Sequence, residues 1–279
     1  MDILRNDAAR SCFWLGRRAL PSAMSKDKMK HTVEVSETEH LRYLHFGSEW
    51  IQGAMRIARP WALEIAYTRE MLLPLLLCAE PLRHCLVVGL GAASQLKFLY
   101  RHFPSARFRV LEINPDVPPV ARRFFRLPDS PRIEVVITDA AAWMTANAPQ
   151  ACFDLILQDG FDAAGSSGAL SGAAFYARCH AALAAGGAFS CNLLGYRRGF
   201  QANLRRIRRA FSGHSLHFPS SDNGNVVALG FLGAPPDCAP LAELHTRALS
   251  LKTRTGLDLH PVLSRLQLTV ATSGGRLRI

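Results

Sequence analysis

The chain has 279 residues, 49% of them hydrophobic, so it can bury a core and is not a wholly disordered protein. Its formal net charge is +11, which suits an anionic partner such as nucleic acid but equally suits a solvated basic surface. No apolar run reaches the roughly 18 residues that a membrane-spanning helix needs. The N-terminus lacks the pattern of a secretory signal, and we expect the protein in the cytoplasm.

The cysteines and histidines predict neither disulfides nor a metal site. The seven cysteines are an odd number, and none forms a C-x-x-C pair. Several lie in apolar runs, as reduced and buried thiols do in a cytosolic protein. The ten histidines show no metal-ligand spacing either.

The first part of the chain divides into two segments. Residues 1–31 are polar, basic and aperiodic, and we predict a flexible extension there. Residues 32–56 alternate in short runs separated by glycine and serine, which is typical of a small antiparallel β-hairpin or meander. Such a unit is too small to fold alone, so it is expected to pack on the larger domain or on a second subunit.

The pattern of residues 57–235 predicts an α/β domain with a doubly wound sheet. A helix-like stretch begins near Pro60 and runs to Leu73. Strand and helix patterns then alternate, which is typical of a mostly parallel sheet, and an antiparallel strand pair ends the domain. The parallel strands are predicted at 85–88, 108–113, 133–138, 153–158 and 188–194. Residues 236–279 are predicted to form a C-terminal helical tail.

The first four of these strands each end in a glycine turn or a carboxylate. Gly89 and Gly91 follow the first strand, and Glu112, Asp139 and Asp159 end the next three. In an open α/β sheet, ligands bind at the carboxyl ends of the strands. These residues should therefore line one crevice, and its predicted ligand carries a nucleoside.

Each residue on the first three strands has a predicted role and an alternative. Gly89 permits the tight turn and Gly91 a close approach of ligand to backbone. Glu112 could accept both ribose hydroxyls, or could be a surface acid at a strand end. Asp139 could accept from an adenine amino group beside the backbone N–H of Ala140, or could cap the following helix.

The fourth strand leads into a candidate catalytic loop. Asp159 and Asp162 bracket Gly160-Phe161 and could hold a cation or act as a general base. The alternative is an Asx-turn that shapes the loop. Residues 160–172 are rich in Gly, Ala and Ser, as in a mobile loop over a site.

The densest basic cluster lies further along the chain. A helix over 201–211 would place Arg205, Arg208 and Arg209 on one face. This face could bind phosphate or could simply be solvated. No aromatic residues are interleaved to stack on bases, so nucleic acid is not the favoured partner.

At these residues the chain resembles the spermidine synthase family, the polyamine aminopropyltransferases, from about residue 32 to 232. The resemblance implies a small N-terminal β-domain, a methyltransferase-like Rossmann domain and a homodimer. The segment 43–52 resembles the hairpin whose glutamine, here Gln52, contacts the nucleoside ligand. Tyr67, with Glu70-Met71, resembles the family's Tyr-x-Glu-Met helix with one extra residue.

The resemblance also implies a reaction. Its co-substrate would be decarboxylated S-adenosylmethionine, with Glu112 at the ribose and Asp139-Ala140 at the adenine. Asp159 would be the catalytic base, and Asp162 would hold the far ammonium of an amine acceptor such as putrescine.

The chain departs from the family at the residues that recognise substrate. The family's glycine motif carries an acid at the position of Ala92, where it grips the amine of the decarboxylated donor. Ser-Thr between the paired acids is replaced by Gly160-Phe161. Two alternatives therefore stay open. One is a methyltransferase that uses intact S-adenosylmethionine on another acceptor, such as RNA, and the other is a nucleoside-binding protein without catalysis.

Overall fold

The computed structural model of the chain describes most of its length. The described residues are 32–47, 50–78, 81–147, 149–161, 165–222, 224–233, 240–268, 272–273 and 276–277. The predicted extension over 1–31 and the candidate site residue Asp162 lie outside them.

The N-terminal segment forms a three-stranded antiparallel meander. Leu44 and Met55 from its second and third strands pack with Phe125 in a small core cluster. The meander thus lies against the end of a helix of the larger domain. The strands are β1 (Val33–Glu37), β2 (Leu41–Phe46) and β3 (Gly53–Arg56), paired in the order β1-β2-β3.

The larger sheet has seven strands, and the predicted doubly wound α/β architecture is confirmed. Its strand order is β6-β5-β4-β7-β8-β10-β9, with β4 to β8 parallel and β9 and β10 antiparallel at one edge. The carboxyl ends of the parallel strands therefore meet at one edge of the sheet. The strands are β4 (His84–Val88), β5 (Arg107–Glu112), β6 (Ile133–Ile137), β7 (Phe153–Gln158), β8 (Leu183–Leu194), β9 (Ser215–Pro219) and β10 (Asn225–Phe231).

The helices cover both faces of this sheet. They are α1 (Ala66–Glu70), α2 (Ser94–His102), α3 (Val117–Phe125), α4 (Ala140–Ala146), α5 (Ala173–Ala182), α6 (Phe200–Ala210), α7 (Leu241–Thr255) and α8 (His260–Gln267). No helix among the described residues has the length and apolarity to cross a membrane.

The predicted long helix from Pro60 to Leu73 is wrong. The α-helix covers only Ala66–Glu70, and a 3-10 helix follows at Leu73–Leu76. Pro74 has no backbone N–H to donate to the helix, which is one physical reason why the α-helix does not continue.

Two clusters of buried side chains lie on opposite faces of the sheet. One contains α5 and α6 residues such as Tyr176 and Ile207. The other contains residues of β4 and α2 together with Leu244 of α7 and Leu263 of α8. The C-terminal helices thus share the main core of the α/β domain. The four-part division at residues 31, 56 and 235 stays a prediction.

Candidate active site

The glycine turn after β4 is shaped by what packs against it. Gly89 has φ +87°, and a Cβ there would lie 2.5 Å from the backbone oxygen of Asp159. Gly91 has φ +49°, and a Cβ there would lie 3.6 Å from the backbone oxygen of Gln52. The turn therefore needs glycine at 89 for both reasons, and it brings the end of β7 and residue Gln52 beside the end of β4.

Glu112 ends β5 as a buried carboxylate, not as the surface acid of the alternative interpretation. Its side chain lies under the turn, where Oε2 accepts from the Leu90 N–H and Oε1 from the Asn114 N–H, each at 2.8 Å. Burial raises the pKa of Glu112, and hydrogen bonds from backbone N–H groups oppose the rise. Each carboxylate oxygen can accept a second bond, so hydroxyl donors can still be held.

Asp139 caps helix α4. Its Oδ1 accepts from the Ala142 N–H at 2.9 Å, and Ala140 is buried as the first residue of the helix. The capping interpretation is thus what the geometry shows. Binding of an adenine amino group remains a prediction, since the carboxylate can accept further bonds.

Asp159 follows β7, and side chains hold both of its carboxylate oxygens. The Tyr67 hydroxyl donates to Oδ2 at 2.9 Å, and Asn192 Nδ2 donates to Oδ1 at 3.1 Å. Burial raises the pKa of Asp159 above its usual range, and these two bonds offset part of the rise. Burial and the neighbouring Asp159 also raise the pKa of Tyr67, which keeps the phenol protonated as a donor.

Asn192 and Asp222 belong to this arrangement, and the sequence interpretation missed both. Asn192 lies on β8, and Asp222 follows β9 and accepts from the Tyr67 backbone N–H at 2.8 Å. A buried polar residue inside the apolar run of β8 is the signal that could have found Asn192. Asp222 had only the Ser-Ser-Asp turn as a signal, and such turns are common on surfaces.

Strand β3 packs closely against Ala92 in the glycine turn. Ala92 is 3% exposed, and a Cβ built on Gly53 would lie 2.6 Å from the Ala92 Cβ. Strand β3 therefore packs tightly over the turn, with the Ser94 hydroxyl donating to the Ala54 oxygen at 3.3 Å. Position 92 offers a small apolar surface with no carboxylate.

The described part of the loop after β7 covers the end of that strand. A 3-10 helix at Gly168–Ser171 carries Leu170, whose Cδ1 lies 2.8 Å from where a Cβ on Gly160 would be. Among the described residues, no group of three or more His, Cys, Asp or Glu side chains is arranged to hold a metal ion.

Comparison with known proteins identifies the family. The model of the spermine/spermidine synthase domain matches residues 64–193. A polyamine aminopropyltransferase of Chromobacterium violaceum is 34% identical over 248 residues, which cover 88% of this chain and 94% of that protein. The chain belongs to the polyamine aminopropyltransferase family. The family predicted from the sequence is therefore confirmed.

Solved structures agree with this fold. A spermidine synthase in complex with the transition-state analogue AdoDATO has a TM-score of 0.57 at 20% identity, covering 81% of this chain and 88% of its own. Human methyltransferase-like protein 13 in complex with SAH has a TM-score of 0.61 at 23% identity, covering 72% and 99%. At such identities these neighbours establish the architecture, which aminopropyltransferases and methyltransferases share.

The three candidate carboxylates lie on both sides of the glycine turn. Glu112 and Asp139 end adjacent strands on one side of the glycine turn, and Asp159 ends β7 on the other. A ligand lying across the turn could donate hydrogen bonds to Glu112 and Asp139 on one side. On the other side it would meet Asp159, whose pKa is raised.

Proposed function

We propose that the chain transfers the aminopropyl group of decarboxylated S-adenosylmethionine to an amine such as putrescine. The observation that carries this proposal is the half-buried carboxylate of Asp159, fixed by Tyr67 and Asn192 beside the glycine turn. Family membership supports the reaction class.

We assign the donor nucleoside to the ends of β4, β5 and β6. Gly89 and Gly91 would let it approach the backbone, and Glu112 would accept from the ribose hydroxyls. Asp139 and the N–H of Ala140 would face the adenine. The burial of Glu112 supports this role, because a buried carboxylate makes stronger hydrogen bonds than a solvated one.

The chemical step needs a base because the acceptor is protonated in water. A primary amine with a pKa near 10 is neutral in only about one molecule per thousand at pH 7, a cost of roughly 4 kcal/mol. Asp159 would take the ammonium proton. The amine nitrogen then bonds to the methylene beside the sulfonium, and the C–S bond breaks to release methylthioadenosine as a neutral thioether.

The environment of Asp159 suits this task. Burial raises its pKa, which makes it a stronger base than an exposed aspartate. Its two oxygens offer about four acceptor positions, and the bonds from Tyr67 and Asn192 fill two of them. The remaining two acceptor positions can hold the amine in line with the methylene. This alignment of the reacting atoms contributes to the rate.

The acceptor is a cation, whereas the protein carries a net charge of +11. Local acids must therefore offset the overall charge. We assign the reacting amine of the acceptor to Asp159 and Tyr67. We assign a contact with the nucleoside of the donor to Gln52. The far ammonium is assigned to Asp162, which lies outside the described residues.

A second candidate function is methyl transfer from intact S-adenosylmethionine. Ala92 favours it, because the buried methyl at this position offers no acid to a decarboxylated donor's amine. An intact donor carries a carboxylate next to that amine, and it would be repelled by an acid there.

One calorimetric comparison separates the two candidates. The wild-type chain is titrated with decarboxylated and with intact S-adenosylmethionine, and is then incubated with the tighter donor and putrescine. Preference for the decarboxylated donor with release of methylthioadenosine is the expected result. Preference for the intact donor without that product would reject aminopropyl transfer.

We also propose a homodimer in the cytoplasm. The free, buried thiols of Cys85, Cys179 and Cys191 suit a reducing compartment. The dimer follows the family resemblance, and sedimentation velocity at micromolar concentration tests it, since a monomer there would reject it.

A further inference from the structure

A chain of hydrogen bonds joins Asp159 to helix α8, the last helix among the described residues. Its first link is Tyr67, which is held at both ends. The hydroxyl donates to Asp159 Oδ2 at 2.9 Å, and the backbone N–H donates to Asp222 Oδ2 at 2.8 Å. The direction of the phenol therefore depends on where the loop that carries Asp222 lies.

The loop is held in turn by Glu70. Ser221 donates to Glu70 Oε1 through its backbone N–H at 3.2 Å and through its hydroxyl at 2.9 Å. Glu70 is 3% exposed and lies three residues after Tyr67 on α1. One carboxylate thus ties the loop after β9 to the helix that carries the phenol.

The last link is Arg265 on α8. Its Nη2 donates to the same Glu70 oxygen at 2.5 Å, from 195 residues further along the chain. Neighbouring α8 residues Val262, Leu263 and Leu266 are buried in the main core, so the helix backbone is fixed. Burial raises the pKa of Glu70, but bonds from the loop serines and from Arg265 outweigh it and hold the pKa below its usual value.

We propose that Arg265 is a positioning residue that acts on Asp159 through Glu70, the Ser221–Asp222 turn and Tyr67. The effect on turnover rests on the proposed function, whereas the effect on Tyr67 does not. Without the guanidinium, Glu70 becomes an unpaired buried carboxylate, which is strongly unfavourable. It then protonates or moves, the turn is released, and the phenol is no longer directed at Asp159.

The test compares Arg265→Met with Arg247→Met. Arg247 lies on α7 and donates from Nη1 to the Leu76 oxygen at 2.9 Å, so it also docks a C-terminal helix but does not contact Glu70. Hydrogen exchange of the peptide that contains Tyr67 is measured first. It should be faster in Arg265→Met and unchanged in Arg247→Met.

Kinetics provide the second measurement. Arg265→Met should lower kcat by about tenfold to 100-fold, as misplacement by about 1 Å does. The acid limb of the kcat/KM profile should move to higher pH, because the bond from Tyr67 lowers the pKa of Asp159. Arg265→Lys, which keeps a cation, should restore part of both, and Arg247→Met should leave both within about twofold.

The two measurements separate the proposals. Unchanged exchange at Tyr67 in Arg265→Met would overturn the positioning role whatever the enzyme does. Faster exchange in a protein whose wild type releases no methylthioadenosine would support the positioning role and reject aminopropyl transfer. If Arg265→Met does not fold, Ser221→Ala removes one bond of the same chain and should show the smaller change in exchange.

Discussion

The two halves of the site hold their carboxylates in different ways. In the β4–β6 half, Glu112 and Asp139 accept from backbone N–H groups that lie 2, 3 and 22 positions away in sequence. In the β7–β8 half, Asp159 accepts from the side chains of Tyr67 and Asn192, which lie 92 and 33 positions away. One half is built from strand ends and turns, and the other from tertiary contacts.

We predict that this difference separates donor binding from the chemical step. A carboxylate fixed by backbone keeps its place when neighbouring side chains change, which suits recognition of an invariant nucleoside. A carboxylate fixed by side chains has a pKa and a direction that those side chains set. Substitutions in the β4–β6 half should therefore change donor affinity, and those in the β7–β8 half should change turnover.

The largest effect is expected from Asp159→Asn. Removing the base should lower kcat by about 10³-fold, within the range that general bases contribute. Donor affinity measured by calorimetry should stay within about threefold, because the β4–β6 half is intact. Asp116→Asn, an exposed acid at the start of α3 that makes no side-chain cap bond, is the control. A variant with more than a tenth of wild-type turnover would place the base elsewhere.

The converse result is expected from Glu112→Gln. The amide cannot accept from both the Leu90 and the Asn114 N–H, and it loses the charge that we propose for the ribose hydroxyls. Donor affinity should fall by about 10- to 100-fold, since hydrogen bonds to charged groups contribute about 1.5–3 kcal/mol. Turnover at saturating donor should change much less.

Glu134→Gln is the matched control for this substitution. Glu134 is the second residue of the neighbouring strand β6, away from its carboxyl end, and it pairs with Arg109 at 2.6 Å. Its loss should leave donor affinity unchanged. Equal losses of turnover and affinity in Glu112→Gln would contradict the division of labour between the halves.

A smaller effect is expected from Tyr67→Phe. Loss of its hydrogen bond raises the pKa of Asp159 further, so more of the base is protonated at low pH and the acid limb of kcat/KM moves upward. We expect kcat/KM to fall by about tenfold at neutral pH, which corresponds to about 1.4 kcal/mol of activation free energy. Tyr176→Phe removes a buried hydroxyl that has no partner among the described residues, and should leave the profile in place.

The same contrast explains what the sequence could predict of the site. Glu112 and Asp139 follow strand patterns, and their partners are backbone groups that every sequence supplies. A local pattern can mark Asn192 as unusual, but it cannot show that Asn192 contacts Asp159 or that Arg265 contacts Glu70. Their positions follow from how β8 and α8 pack, which requires the tertiary structure.

The strand bounds also show where prediction from the sequence fails. Strand β5 lies within one residue of its predicted bounds because its apolar run is bounded on both sides. The sequence predicts strand β8 from residue 188, after Gly186-Gly187, but the strand begins at Leu183. Gly186 at φ +74° carries the strand through an irregularity opposite β7, between Phe153 and Leu155. A glycine pair predicts a break, and only pairing with β7 shows that the strand continues.

The smallest effect on activity is expected at Lys97, whose buried amine lies on helix α2 beside the β4–β6 half. It is 1% exposed, and its Nζ donates to the Phe125 oxygen at 2.7 Å, again a backbone partner. Burial lowers its pKa from 10.5 to about 7. Between these values the unfolded chain binds the proton and the folded chain does not, so the Lys97 contribution to stability rises with pH across this window.

Urea unfolding of wild type and Lys97→Met at pH 7, 8 and 9 measures this contribution. The unfolding free energy of wild type should rise relative to that of Lys97→Met by at most about 1.4 kcal/mol per pH unit. Donor affinity and turnover should stay within about twofold, since the ammonium contacts neither half's carboxylates and the substitution conserves most of the side-chain volume. Parallel stability curves would show that Lys97 keeps its proton in the fold. The β4–β6 half would then tolerate a buried charge that a single backbone carbonyl stabilises, which would sharpen its contrast with Asp159.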